Sequence, residues 1–223
     1  MIRADDVAAG MARVRDRIAA CDRDPSEVTV VAMTKGFGAD ALHAAIEAGI
    51  VDVGESYADG LLAKAAEATG AAGAVRWHFT GAIQRNKVAR LAPHVAVWHG
   101  LDRQAAAQAI AAKAPGATVL VQVNLAGLAG RNGCSWEDAA AVVDQARDAS
   151  LDVAGLMGVA SPEPAAAARE FARLADLAAS LGLRELSMGM TGDLEAALRA
   201  GATIVRIGQA LFGARQAAHQ VRR

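Results

Sequence analysis

Short apolar runs alternate along the chain with longer segments in which apolar residues recur every three or four positions. Continuous apolar runs are typical of strands buried on both faces, and the longer spacing is typical of amphipathic helices. The runs predict strands at residues 28–33, 51–56, 76–81, 95–100, 118–125, 153–159, 185–190 and 203–208. A further amphipathic segment at about 4–21 predicts one extra helix before the first strand.

The number of strand–helix units favours a closed barrel. Eight such units close a (β/α)8 barrel, whereas a doubly wound sheet, the rival architecture, typically uses fewer strands. No linker interrupts the units, so we expect one domain over residues 1–223. The sequence therefore predicts a single (β/α)8 TIM barrel with an extra N-terminal helix. In such a barrel the functional residues lie at the C-terminal ends of the strands.

Composition and charge exclude several classes of protein. The net charge is −1, which offers no attraction to nucleic acid or to an anionic membrane. No apolar run reaches the ~18 residues of a membrane span, and the N-terminus has acidic residues where a signal sequence would be apolar. Cys21 and Cys134 form no paired motif, and the histidines lack metal-ligand spacing. We expect a cytoplasmic protein without a metal site.

Lys35 stands just beyond the first predicted strand and before a Gly-Phe-Gly turn. Taken alone, it is most simply a solvated charge at a strand end. If apolar walls surround it, burial lowers the pKa of its amine, and a neutral amine can form a Schiff base with an aldehyde.

The loops after the seventh and eighth strands carry Thr191, Gly192 and Gly208. In barrels these loops commonly bind phosphate, although Thr191 can also be an ordinary helix cap and Gly208 a tight turn. Arg206 lies in an apolar strand and needs an acceptor, either a carboxylate inside the barrel or a ligand at its mouth. Together with Lys35, these features suggest a phosphorylated aldehyde, for which pyridoxal 5'-phosphate fits best.

The segments "WHFTGAIQRNK" (77–87), "LSMGMTGDLEAAL" (186–198) and "VRIGQALFGAR" (205–215) resemble the pyridoxal phosphate homeostasis proteins. These are single-domain relatives of the alanine racemase N-terminal barrel. The resemblance covers nearly the whole chain and implies that Lys35 is the internal aldimine lysine. It implies further binding residues for the cofactor, which are Ser56, His78, Met190, Thr191, Gly192, Arg206 and Gly208.

The resemblance also implies what each of these residues does. Thr191, Gly192 and Gly208 would hold the phosphate, and Arg206 would face the pyridine nitrogen. His78 is expected near the cofactor face. Met190, with Met157, would line the pocket or else belong to the plain barrel core. Ser56 stands where the family has asparagine, so its polar arm toward the cofactor is shorter.

The resemblance implies binding and delivery of pyridoxal phosphate within the cell, with pyridoxal phosphate-dependent apoenzymes as partners. Racemases of this barrel type take their second base, a tyrosine, from a C-terminal domain that we do not expect here. Tyr57 is the sole tyrosine and lacks that context, so we expect negligible racemase activity and a monomer. The alternatives are a weak amino-acid racemase or lyase, and a barrel that binds a phosphorylated sugar without a covalent bond.

Overall fold

The computed structural model describes residues 1–68 and 75–214, which form a closed barrel of eight parallel strands in sequence order. Each strand pairs with its neighbour, and the first pairs with the last to close the ring. An additional helix precedes the first strand. The predicted (β/α)8 barrel with an extra N-terminal helix is therefore confirmed.

The strands follow the predicted apolar runs closely. They are β1 Thr29–Met33, β2 Asp52–Glu55, β3 Arg76–Phe79, β4 Val95–Leu101, β5 Thr118–Val123, β6 Asp152–Gly158, β7 Glu185–Ser187 and β8 Ile204–Ile207. The helices of the described residues are α1 Ala4–Ala19, α2 Ala39–Glu47, α3 Ala58–Glu67, α4 Arg85–Leu91, α5 Gln104–Ala111, α6 Ala139–Asp148, α7 Pro164–Ser180, α8 Leu194–Arg199 and α9 Gln209–Phe212.

Two apolar layers hold the barrel together. The larger lies between the strands and the surrounding helices and includes fully buried Trp98, Phe171 and Leu156. The smaller lies inside the ring and comprises Val31, Met33, Leu120, Met157 and Ile204. Burying a large apolar side chain stabilises the fold by about 1.5–3 kcal/mol. Strands that are apolar on both faces therefore bury one face against the helices and the other inside the ring, which gives the two layers.

The seventh strand is shorter than predicted. It ends at Ser187, whereas the apolar pattern extends to residue 190. Gly189 has a φ of 93°, a left-handed conformation that breaks strand geometry and that residues with a side chain rarely adopt. The chain therefore leaves the sheet early and enters a loop at the mouth of the barrel.

The described residues contain no helix that is long and apolar enough to span a membrane. Within the same ranges, 1–68 and 75–214, no three His, Cys, Asp or Glu side chains group as metal ligands would.

Candidate functional site

A cavity of about 670 Å³ opens where the C-terminal ends of the strands meet. Most of the predicted binding residues line it, namely Lys35, Ser56, Met190, Thr191, Gly192, Arg206 and Gly208. They come from the ends of β1, β2, β7 and β8 and from the loops that follow. The fold thus brings together residues that are up to 173 positions apart, from Lys35 to Gly208.

Lys35 is half-buried and sits two residues beyond the last residue of β1. The backbone just before it is fixed, because the amide of Thr34 donates to the carbonyl of Gly54 at 2.9 Å. Just after it, Gly36 has a φ of 78°, which only glycine adopts easily and which turns the chain away from the strand. Lys35 is therefore held at a defined place in the cavity wall.

A buried ion pair stabilises the turn that carries Lys35. Lys64 Nζ on α3 donates to Glu55 Oε2 at 2.6 Å and to the carbonyl of Thr34 at 2.7 Å. The other oxygen of Glu55 accepts from the amide of Ser56 at 2.8 Å. Lys64 is 7% exposed and Glu55 is 1% exposed. Through this pair Thr34 is joined to Glu55. These two residues directly precede Lys35 and Ser56, which line the cavity.

The loop Met190–Asp193, here called the mouth loop, is fixed from two sides. Asp193 Oδ1 accepts from the amide of Met190 at 2.6 Å. Arg17, on the N-terminal helix α1, donates to the carbonyl of Thr191 at 3.0 Å. Arg17 also forms an ion pair with Glu195 at 2.6 Å, so the extra helix α1 is tied to the loop and to α8.

Arg206 is 5% exposed and reaches the cavity from β8. Its Nη1 donates to the carbonyl of Ser187 at 2.6 Å and to its hydroxyl at 2.9 Å, and Nη2 donates to the carbonyl of Gly158 at 2.9 Å. The acceptors are thus neutral groups, not the carboxylate that the sequence left as an alternative. Burial lowers the pKa of Arg206 to about 10, which leaves it charged at neutral pH. A guanidinium has five N–H donors, so donors remain for a ligand.

His78 is the one predicted binding residue that does not line the cavity. It is fully buried in β3, and its two ring nitrogens contact His99 Nε2 at 2.8 Å and Asp52 Oδ1 at 2.9 Å. Asp52 begins β2, so this ring points along the barrel interior and away from the mouth. A side chain that faces the barrel interior can turn toward either end of the barrel, and the sequence position of His78 does not tell which end its ring takes.

The smaller predicted contacts also have defined places. Ser56 Oγ lies 2.9 Å from Thr80 Oγ1, so the two hydroxyls share one edge of the cavity. Met190 and Met157 both line the cavity, and Met157 belongs also to the apolar layer inside the barrel. The two interpretations of Met157, pocket wall and barrel core, are therefore both correct.

Several lining residues were not predicted from the sequence, and three of them have polar side chains that bear on the site. Tyr57 caps α3 and lines the cavity while remaining 68% exposed. Lys87 lines it from α4. Gln122, on β5, is 6% exposed, and its Oε1 has no hydrogen-bond partner within the described ranges. A lone glutamine in the apolar run "TVLVQV" was the available signal for it.

The cavity combines an amine, a fixed loop with a hydroxyl and a glycine, and a buried guanidinium. A phosphorylated aromatic aldehyde carries a matching set of groups. Its aldehyde suits the amine of Lys35, and its phosphate suits the mouth loop. The residues present therefore fit pyridoxal phosphate.

Comparison with known proteins gives consistent results. The family described as the alanine racemase N-terminal domain matches residues 5–216. A pyridoxal phosphate homeostasis protein from Pseudomonas aeruginosa is 41% identical over 221 residues, covering 95% of each chain. A protein with the same description from Escherichia coli is 36% identical, covering 95% of this chain and 97% of its own. The structure of PipY from Synechococcus elongatus with pyridoxal phosphate bound superposes with a TM-score of 0.78 at 29% identity, covering 90% of this chain and 100% of that chain.

Proposed function

The chain belongs to the alanine racemase N-terminal domain family, and we propose that it binds pyridoxal 5'-phosphate in the mouth cavity and acts in pyridoxal phosphate homeostasis. The observation that carries the proposal is the convergence of Lys35, the mouth loop and Arg206 on one cavity of about 670 Å³. When bound, this cofactor supplies an aldehyde that reacts covalently with an amine.

Each residue of the cavity has a distinct part in this proposal. Lys35 provides the amine for covalent attachment. Thr191, Gly192 and Gly208 receive the phosphate, and Arg206 faces the ring nitrogen. A guanidinium donates hydrogen bonds and has no acceptor, so Arg206 would leave a ring nitrogen beside it unprotonated, and the ring would then withdraw electrons weakly. This favours binding of the cofactor over strong catalysis at Cα of an amino acid.

We extend the proposal to the cellular role. The protein holds pyridoxal phosphate reversibly, keeps the free aldehyde low and passes the cofactor to pyridoxal phosphate-dependent apoenzymes. The bound aldehyde is shielded in the cavity, and a reversible covalent bond allows release. We propose that it acts as a monomer in the cytoplasm, which agrees with the free thiols of Cys21 and Cys134.

The test is an absorption spectrum of the purified protein with pyridoxal phosphate, taken before and after borohydride. We expect a visible band in the wild type that borohydride converts into a covalent adduct, located at Lys35 by peptide mass spectrometry. Lys35→Ala should lose both the band and the adduct. Lys87→Ala is a matched control, because Lys87 lines the same cavity and should leave both in place.

The other outcomes identify other functions. If the wild type shows no band yet binds inorganic phosphate, with Lys35→Ala binding equally well, the phosphorylated-sugar barrel replaces the proposal. An adduct on Lys87 in place of Lys35 would also overturn the assignment of the attachment residue.

One observation favours a second candidate, a weak racemase or lyase. Tyr57, the sole tyrosine, lines the cavity, whereas the sequence placed it outside a catalytic context. Racemisation needs two bases, and a tyrosine at the rim could act with Lys35. The measurement is exchange of the Cα proton of alanine in deuterated water, in the wild type and in Tyr57→Phe. Exchange that is lost in Tyr57→Phe would favour the enzyme, whereas equal background exchange in both proteins would exclude this role of Tyr57.

A further inference from the structure

A chain of buried polar groups crosses the barrel interior behind Arg206. The Arg206 guanidinium donates to the hydroxyl of Ser187 at 2.9 Å, and this hydroxyl lies 2.9 Å from His99 Nδ1. His99 Nε2 lies 2.8 Å from His78 Nδ1, and His78 Nε2 lies 2.9 Å from Asp52 Oδ1. The chain thus visits five strands and connects the cavity to the opposite end of the barrel.

Four of the five members of this chain are deeply buried, and Asp52 at its end is partly exposed. Ser187, His99 and His78 are all 0% exposed, and Arg206 is 5% exposed. The interiors of such barrels are usually filled with branched apolar side chains, as the layer of Val31, Leu120 and Ile204 is here. Polar groups in this place are costly unless every one is satisfied.

The contacts of the chain indicate where the protons lie. An arginine only donates, so the Ser187 oxygen accepts from Arg206. This oxygen could accept a second bond, but His99 Nδ1 is the acceptor that lies beside the Ser187 hydroxyl in the described part of the chain, so the hydroxyl proton is satisfied by donating to it. His99 must then carry its proton on Nε2 and donate to His78 Nδ1. His78 in turn carries its proton on Nε2 and donates to Asp52, which as an ionised carboxylate only accepts.

The electrostatics of the chain agree with this arrangement. Burial holds the pKa of His99 well below its ordinary value, and the positive charge of Arg206 acts in the same direction. Burial alone would raise the pKa of Asp52, but hydrogen bonds from His78 and Arg76 lower it. A neutral histidine and an ionised carboxylate are the forms that the proton order requires.

We propose that Ser187, His99 and His78 are positioning residues that hold the Arg206 guanidinium at the cavity through a hydrogen-bond chain with one proton order, anchored on Asp52. Both histidines are neutral Nε2–H tautomers. Removing the link at Ser187 takes one of three acceptors from the guanidinium and leaves it the carbonyls of Ser187 and Gly158, so its position is less firmly held. The proton order stands independently of the proposed function, whereas its effect on cofactor binding rests on that function.

The first test uses the full protein without ligand, labelled with ¹⁵N, and long-range proton–nitrogen NMR spectra between pH 6 and 8. At pH 8 we expect both histidines to show a protonated Nε2 and an unprotonated Nδ1. A doubly protonated His78, or a proton on His99 Nδ1, would overturn the proposed order. Ser187→Ala removes one link and should give His99 a mixture of tautomers, while Ser187→Thr retains the hydroxyl and should restore the single tautomer.

The second test measures binding of pyridoxal phosphate by the same variants. Ser187→Ala should weaken binding about tenfold, the effect of one hydrogen bond to a charged group, and Ser187→Thr should restore most of it. The matched control is Arg76→Ala, which removes the exposed partner of Asp52 but leaves the chain intact, so binding should be unchanged.

The outcomes separate the two proposals. If the wild type binds no pyridoxal phosphate, the proposed function fails, while the NMR result on the free protein still decides the chain. If binding occurs and Ser187→Ala binds as tightly as the wild type while keeping its fold, the chain does not position Arg206.

Discussion

The buried pair of Lys64 and Glu55 allows a quantitative prediction. In Lys64→Met, Glu55 loses its cationic partner at 1% exposure, and the amides of Ser56 at 2.8 Å and Tyr57 at 3.3 Å are its remaining donors. The carbonyl of Thr34 also loses its 2.7 Å donor. Removing one partner of a buried ion pair costs about 3–5 kcal/mol, because the other charge is left uncompensated.

For a chain of this length each kcal/mol lowers Tm by about 2–4 °C, so Lys64→Met should melt roughly 6–20 °C lower than the wild type. The double variant Glu55→Gln with Lys64→Met removes both charges, and we expect it to recover more than half of this loss. The assay is thermal and urea unfolding followed by circular dichroism, evaluated as a double-mutant cycle.

Lys87→Met is the control for the loss of a lysine as such. Lys87 pairs with Asp59, which is largely exposed, so Tm should remain near that of the wild type. The reasoning is refuted if Lys64→Met melts within about 2 °C of the wild type, less than the smallest shift expected from the cost of an unpaired buried charge. A double variant that is less stable than the sum of the single changes would refute it as well.

Three further predictions concern other parts of the fold. Arg17→Ala should weaken binding of pyridoxal phosphate about three- to tenfold, because it removes the hydrogen bond that holds the mouth loop. Arg23→Ala is the control, since it loses only a contact to the carbonyl of Leu198 in α8 and should bind as the wild type does. Fluorescence titration measures the affinity of both variants. Because the pKa of His99 lies well below 6.5 in the folded protein, the unfolded chain binds the extra proton first. The free energy of unfolding should therefore fall as the pH drops below 6.5. Between pH 7.5 and pH 5.5 the wild type should lose about 1 kcal/mol more of it than His99→Gln does, as measured by urea unfolding. Burial raises the pKa of the Cys134 thiol to about 12, whereas Cys21 is half-buried. Iodoacetamide at pH 8 should therefore modify Cys21 in the folded protein and Cys134 only after unfolding, as mass spectrometry would show. Equal labelling of both thiols in the folded protein would contradict this.

The barrel could be predicted from the sequence because each of its strands is buried on both faces. A run such as "VTVVAM" then reads as apolar throughout, and the helices between the runs show their own spacing. The end of β7 could not be predicted, since Met188 to Met190 continue the apolar pattern while the backbone turns at Gly189.

The candidate site was predictable where residues stand at strand ends, as Lys35 and Gly208 do. It was not predictable where the direction of a side chain decides its role. His78 turns into the interior, and its partner His99 is 21 residues away on the next strand. The contact of Arg17 with the mouth loop joins residues 174 positions apart, which no local pattern reveals.

The joint between β7 and β8 has a consequence for the dynamics of the ring. These strands meet over one register pair, Ser187 with Ile204, whereas β1 and β8 meet over four. Backbone hydrogen bonds continue the joint beyond this pair, from the amide of Thr203 to Leu186, of Met188 to Ile204 and of Arg206 to Gly189. Side chains add to it, since Thr203 Oγ1 accepts from the amide of Leu186 and Arg206 donates to the carbonyl of Ser187. Local opening of the ring should begin between β7 and β8. A ligand bound between the mouth loop and Arg206 would stabilise the paired state of these strands. Amide hydrogen exchange in β7 would then report occupancy of the cavity, so that the strand pair with the shortest register serves as an indicator of binding.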